Sequence, residues 1–82
     1  MRLDKFLKVS RLIKRRTVAA ETADAGHISI NGRVAKPSSE VKVGDRLTLS
    51  FGSRKTTVEI LRVAETVRKD DAVGMYREIP EE

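Results

Sequence analysis

The chain has 82 residues, 39 % hydrophobic and 35 % charged, a size that fits one domain with a compact core. It has no cysteine and a single histidine, His27, which excludes disulfides, thiolate metal sites and histidine-rich metal sites. The net charge of +5 is one-sided: residues 1–20 hold seven Lys or Arg against Asp4 alone, a net +6, and the rest sums to −1, which points to a polyanionic partner.

Residues 2–13 place Leu3, Phe6 and Leu7 at helical spacing on one face, with Lys5 and Lys8 pointing away from it. Asp4 suits the start of this helix, as an acceptor for free N–H groups near the positive end of the dipole. Lys14-Arg15-Arg16 links it to a second helix, with Thr17 as N-cap, an alanine-rich body over residues 18–25, and Gly26 in the left-handed position that ends it. The period then changes to two. His27-Ile28-Ser29-Ile30, Asn31-Gly32 and Arg33-Val34 read as a β-hairpin, because both central residues of a type I′ turn need positive φ.

Lys36-Pro37-Ser38-Ser39 is a loop, and residues 41–45 bring a short extended piece and a turn. Residues 46–51 alternate, with Leu47, Leu49 and Phe51 on one face; residues 56–63 return as a strand after the turn at Gly52-Ser53-Arg54. Beyond Ala64 the pattern weakens. Ala72-Val73 and Met75-Tyr76 read as a short helical turn and residues 79–82 as a frayed end. The sum is an α+β domain: two N-terminal helices packed on a small antiparallel sheet of about four strands over residues 1–64, then a tail over residues 65–82. A monomer is the default expectation.

Phe6 and Phe51 fit core positions, and only Tyr76 remains as a further aromatic, so the stacking platforms of single-strand binders are missing. Fixed cations on a rigid element suit structured RNA, whose phosphates and 2′-hydroxyls stand in register. Arg16 leads the candidates, because its planar fork at the start of the second helix allows guanidinium and free N–H groups to meet one phosphate. Arg2, Lys5, Lys8, Arg11 and Arg15 follow. A bland role stands beside each: Lys5 and Lys8 equally fit a solvated helix face, and Arg2 or Arg16 equally fits an ion pair with Asp4 that locks the helices together. His27 reads as structural.

An enzyme is not expected: Asp24, Asp45, Asp70 and Asp71 are scattered, with no nucleophile–base pair, metal cluster or phosphate-cradling glycine loop. A helix-turn-helix DNA reader fits less well than an RNA binder, since the second helix carries Glu21 and Asp24 and no cation in its body. No apolar run approaches the roughly 18 residues of a membrane span, and the charged opening is unlike a signal peptide, so a cytoplasmic address without membrane contact is expected.

Arg2-Leu3-Asp4-Lys5-Phe6-Leu7, Arg16-Thr17-x-Ala19, Gly26, Ile28-Ser29-Ile30-Asn31-Gly32, Lys36-Pro37-Ser38 and Val43-Gly44-Asp45-Arg46 together resemble the S4 RNA-binding domain. The likeness extends over nearly the whole chain to the stand-alone bacterial S4 proteins of ribosome-associated quality control, and more distantly to the S4-type ribosomal heat-shock protein. The resemblance implies that Arg16 is an RNA contact, and that Lys36 and Ser38, whose loop flanks the RNA-binding helices, are additional contacts. Asp4, Gly26, Asn31 and Gly32 are read from the residues themselves as structural support, and no cofactor or metal is expected. As partners it implies large-subunit rRNA and the peptidyl-tRNA of split, stalled ribosomes, together with a factor that extends the nascent chain with alanine. A constitutive rRNA-binding or assembly role is the alternative. S4 domains also occur as appendages of pseudouridine synthases and of a tRNA synthetase, but a chain opening with Met1 at the motif is expected to leave no room for a catalytic domain.

Overall fold

A computed structural model describes residues 1–80. Its first helix, α1 (Leu3–Val9), is too short to persist alone and depends on burying Leu3, Phe6 and Leu7 in the core. Arg2 at its N-cap makes no side-chain cap bond. The free N–H groups of the first turn are met from a distance: Leu3 donates to the Ser39 carbonyl at 2.8 Å and Asp4 to the Pro37 carbonyl at 3.1 Å. Asp4 acts from inside the helix, where Oδ1 accepts the Lys5 N–H at 2.7 Å.

The helix ends at Val9, short of the predicted residue 13. Arg11 turns the chain with φ 65°, and the Ile13 N–H closes back onto the Leu7 carbonyl at 3.1 Å. The apolar pattern outlasts the helix because Ile13 reaches the core from this turn. The second helix, α2 (Arg16–Asp24), starts two residues earlier than its sequence suggests: Arg15 is the N-cap, its carbonyl accepting the Ala19 N–H, so Thr17 lies within the first turn and caps nothing. Ala19 and Ala23 face the core, and their small side chains allow α2 to lie close against its neighbours.

Past Ala25 the chain closes a Schellman motif, with Gly26 N–H donating to Ala23 and His27 N–H to Thr22 while Gly26 holds φ 84°. Nothing lies within 4 Å of where a Gly26 Cβ would stand, so an added methyl group is penalised by backbone strain alone. Gly26→Ala is expected to lower stability by about 1 kcal/mol in urea denaturation, with no change in ligand affinity.

The sheet runs β2-β1-β3-β4-β5, antiparallel throughout, from β1 (Ile28–Ile30), β2 (Arg33–Val34), β3 (Arg46–Phe51), β4 (Arg54–Ile60) and β5 (Tyr76–Ile79). Asn31 and Gly32 take φ 51° and 87°, as a type I′ turn requires. Asn31 also ties this hairpin to the next turn: Nδ2 donates to buried Asp45 at 3.0 Å and Oδ1 accepts the Arg46 N–H at 2.9 Å.

Pairing Ile28 with Leu49 and Leu47 with Val58 sets one sheet face towards the helices, where these four side chains and Ile60 are buried. Phe51 is not a core residue; it is 50 % exposed, because it pairs with Arg54 at the very end of the β3–β4 hairpin, with only the turn beyond it.

The sheet has five strands rather than four. After α3 (Lys69–Ala72) and a 3-10 turn (Val73–Met75), β5 pairs with β4 from Ile60↔Tyr76 to Thr57↔Ile79. Met75 and Ala72 are buried, and Arg77 pairs with Glu59 at 2.6 Å across the strands. Ile79 therefore belongs to a strand, not to a frayed end; Glu81 and Glu82 lie outside the described residues. Among the described residues, no helix is long and apolar enough to cross a membrane.

Candidate nucleic-acid interface

Asp4 organises the basic face. Its side chain is 5 % exposed, and burial pushes the carboxyl pKa upward. The hydrogen bond from Arg2, the Lys5 backbone N–H and the charges of Arg16 and Arg2 outweigh that effect, so Asp4 is held below its ordinary value of 3.8. Arg2 donates through Nε to Oδ1 and through Nη2 to Oδ2, both at 3.2 Å, a fork-on-carboxylate pairing. Arg16 reaches Oδ1 through Nη2 at 3.4 Å.

The two guanidinium side chains remain 55 % and 47 % exposed, so each keeps N–H donors facing solvent. The ion pair and the ligand-facing role are therefore compatible. One buried carboxylate, carried by α1, orients a cation from α1's N-cap and a cation from the first turn of α2.

Around this pair lies an open cleft of about 490 Å³, lined by Met1, Arg2, Lys5, Arg16, Ser38, Glu40 and Glu65. Ser38 is there because the carbonyls of Pro37 and Ser39 cap α1, which draws the loop onto the helix start. The Ser39 hydroxyl shapes the loop by accepting the Lys36 N–H at 2.9 Å, and Glu40 takes the Met1 amino group at 3.3 Å. Lys5 is ion-paired with Glu65, whose carboxyl is lowered by that hydrogen bond and by the lysine's charge.

Of the sequence-derived candidates, the fold gathers Arg2, Lys5, Arg16 and Ser38 into this cleft. Lys8 and Arg11 line a neighbouring depression. Arg15 and Lys36 are exposed and line neither of the two. Among the supporting residues, Asp4 anchors the arginines, Gly26 ends α2, and Asn31 and Gly32 shape the hairpin turn. Sequence reasoning passed over Glu65, which stands 60 positions from its partner Lys5 in a stretch with no periodicity to place it. Among the described residues, no group of three or more His, Asp or Glu is placed to hold a metal ion.

The family model described as the S4 domain matches residues 1–47, which span α1, α2, the first hairpin, the capping loop and the start of β3. The chain belongs to the S4 domain family. It is 58 % identical over 82 residues to the RQC P-site tRNA stabilizing factor of Bacillus subtilis, covering all of this chain and 95 % of that protein. It is 52 % identical over 81 residues to the protein of the same name in Streptococcus pneumoniae, covering 99 % of this chain and 92 % of the relative. Among solved structures, the trimeric Heat Shock Protein 15 of Vibrio cholerae superposes with a TM-score of 0.88 at 35 % identity, over 96 % of this chain and 81 % of that one. The S4 match ends in β3, so Glu65 and the elements from β4 onward lie beyond it, within the span over which the chain is similar to the Bacillus subtilis relative.

Proposed function

We propose that this S4 protein is a non-catalytic binder of structured RNA that stabilises tRNA on the large ribosomal subunit during ribosome-associated quality control. The observation that carries this reading is the pair of half-exposed guanidiniums, Arg2 and Arg16, oriented by one buried carboxylate at the mouth of a basic cleft. Rigid, forked donors of this kind match phosphates held at the fixed spacing of a folded RNA. The high identity to proteins named for stabilising P-site tRNA supports tRNA as the ligand within that class.

In this reading Arg16 and Arg2 grip phosphates, Lys5 adds charge, and Ser38 donates or accepts at a 2′-hydroxyl. Lys8 and Arg11 extend the basic surface beyond the cleft, and Arg15 and Lys36 add positive charge outside both depressions. The RNA surfaces are those of peptidyl-tRNA and of large-subunit rRNA, contacted by a monomer in the cytoplasm. Holding that tRNA in place supports a partner factor that adds alanine to the stalled nascent chain.

The test is binding of the full chain to purified large subunits with and without peptidyl-tRNA, across a salt series. Loaded subunits are expected to bind several-fold more tightly, with a steeper decline in affinity as salt rises, because additional phosphates are neutralised. Equal affinity and equal slope for both particles would remove the tRNA-stabilising role and leave only rRNA docking.

A further inference from the structure

A second depression, about 620 Å³, lies on the other side of Glu65, which borders both. One wall is Lys8, Val9, Arg11 and Lys14, from the end of α1 and the turn after it; the other is Thr66, Val67 and Lys69. Four cations thus face one another across it with Glu65 as the only acid in its lining, and that carboxylate is already engaged by Lys5. Asp70 and Asp71 follow Lys69 in α3 but do not line the groove. Both walls are anchored. Ile13 is buried next to Lys14, and Val67 packs on the core beside Thr66.

Arg11 holds its place on the first wall through the turn that ends α1: it stands just after the C-cap Ser10 with φ 65°, its N–H donating to the Lys8 carbonyl and the Ile13 N–H to the Leu7 carbonyl, both at 3.1 Å.

We propose that this groove is a second phosphate-binding track, which takes a stretch of RNA backbone separate from the one held at the Arg2–Arg16 cleft. Lys14 and Lys69 are binding residues of it, Lys69 being contributed by the part of the chain beyond the S4 match. The inference rests on the RNA-docking reading and deepens it: the two tracks flank Glu65, so the protein straddles two RNA segments rather than gripping one. RNA suits the groove better than an acidic peptide because the groove and the guanidinium cleft share Glu65 as a border, and the groove's polar lining is four cations and one hydroxyl against that single, already paired carboxylate, with Val9 and Val67 as its apolar part.

The test uses the full chain and large subunits carrying P-site peptidyl-tRNA. Lys14→Gln/Lys69→Gln changes two exposed side chains and is expected to weaken binding roughly tenfold and to lower the salt slope by about two contacts. Photoreactive side chains at positions 38 and 69 are expected to cross-link to two non-adjacent RNA stretches. Wild-type affinity and slope in the double variant overturn the groove; if Arg16→Ala is weakened in the same assay, the cleft reading survives alone. Cross-links from position 69 to protein only, or to the nucleotides reached from position 38, also overturn it. Loss in the double variant with wild-type binding by Arg16→Ala would support the groove while removing the cleft.

Discussion

Arg16→Ala is expected to weaken binding to tRNA-loaded large subunits roughly ten- to a hundredfold, the range given by losing a charge-assisted contact of about 1.5–3 kcal/mol. The salt slope is expected to fall by about one phosphate contact. The fold should tolerate the change. Arg16 is a minor partner of Asp4, one bond at 3.4 Å, and the carboxylate keeps the Arg2 fork and the Lys5 N–H when Arg16 is gone. The loss is therefore one of recognition and not of stability.

Position adds to charge here. Arg16 stands in the first turn of α2, whose N-cap supplies no side-chain acceptor, so a phosphate at the guanidinium also meets the positive end of that helix. Arg16→Lys separates the two contributions: the salt slope is expected to return to the wild-type value, while affinity recovers only in part because an ammonium lacks the fork. Equilibrium binding measured at several salt concentrations reads both quantities. A folded Arg16→Ala protein with wild-type affinity and slope would show that the cleft does not hold RNA.

Asp4→Ala should act the other way round, mainly on stability. The side chain is nearly buried and serves three donors, so its removal leaves the Lys5 N–H and two guanidiniums without their acceptor, a loss of about 2–3 kcal/mol. For RNA binding two effects oppose each other. Loss of a negative charge strengthens long-range attraction, whereas freed arginines must be ordered again on binding, at about 0.5–1.5 kcal/mol per side chain. Screening at physiological salt limits the first, so a modest weakening is expected, smaller than that of Arg16→Ala.

The same carboxylate has an acid-side signature. Its folded pKa lies below the ordinary value of 3.8, so the unfolded chain takes up the proton first as pH falls. The stabilisation it contributes is complete above about pH 5 and is lost as pH falls through the lowered folded value. Asp4→Asn, neutral throughout, is expected to show a flatter decline of stability in that acid range, with its deficit against wild type larger at pH 7 than near pH 2. Urea denaturation across pH checks this, and parallel curves for the two proteins would contradict the charge-anchoring role.

The readable parts of the fold and the site were those written in neighbouring residues. Leu3, Phe6 and Leu7 mark a helical face by spacing alone, and Asn31-Gly32 demands its turn. The motif likeness over the first half carried the S4 membership, which the family match on residues 1–47 bears out. Phe51 misled because alternation predicts a face but not where along a strand the covering layer stops. β5 was missed because Tyr76-Arg77-Glu78-Ile79 has no alternation, and strand pairing is made by backbone groups that every residue carries.

Composition and local pattern thus determined an α+β chain with its positive excess on two opening helices, and a short set of cations suited to phosphate. The tertiary structure decided which of those cations stand together. Arg2 and Arg16 meet on Asp4 across the helix pair, Glu65 returns from 60 positions away to Lys5, and Ser38 joins the cleft because the Pro37 and Ser39 carbonyls cap α1. The reason is physical. Periodicity and turn chemistry act between near neighbours and leave a mark in residue type, whereas a carbonyl cap or a long-range ion pair depends on groups that become partners only when the core has brought distant segments within bonding distance.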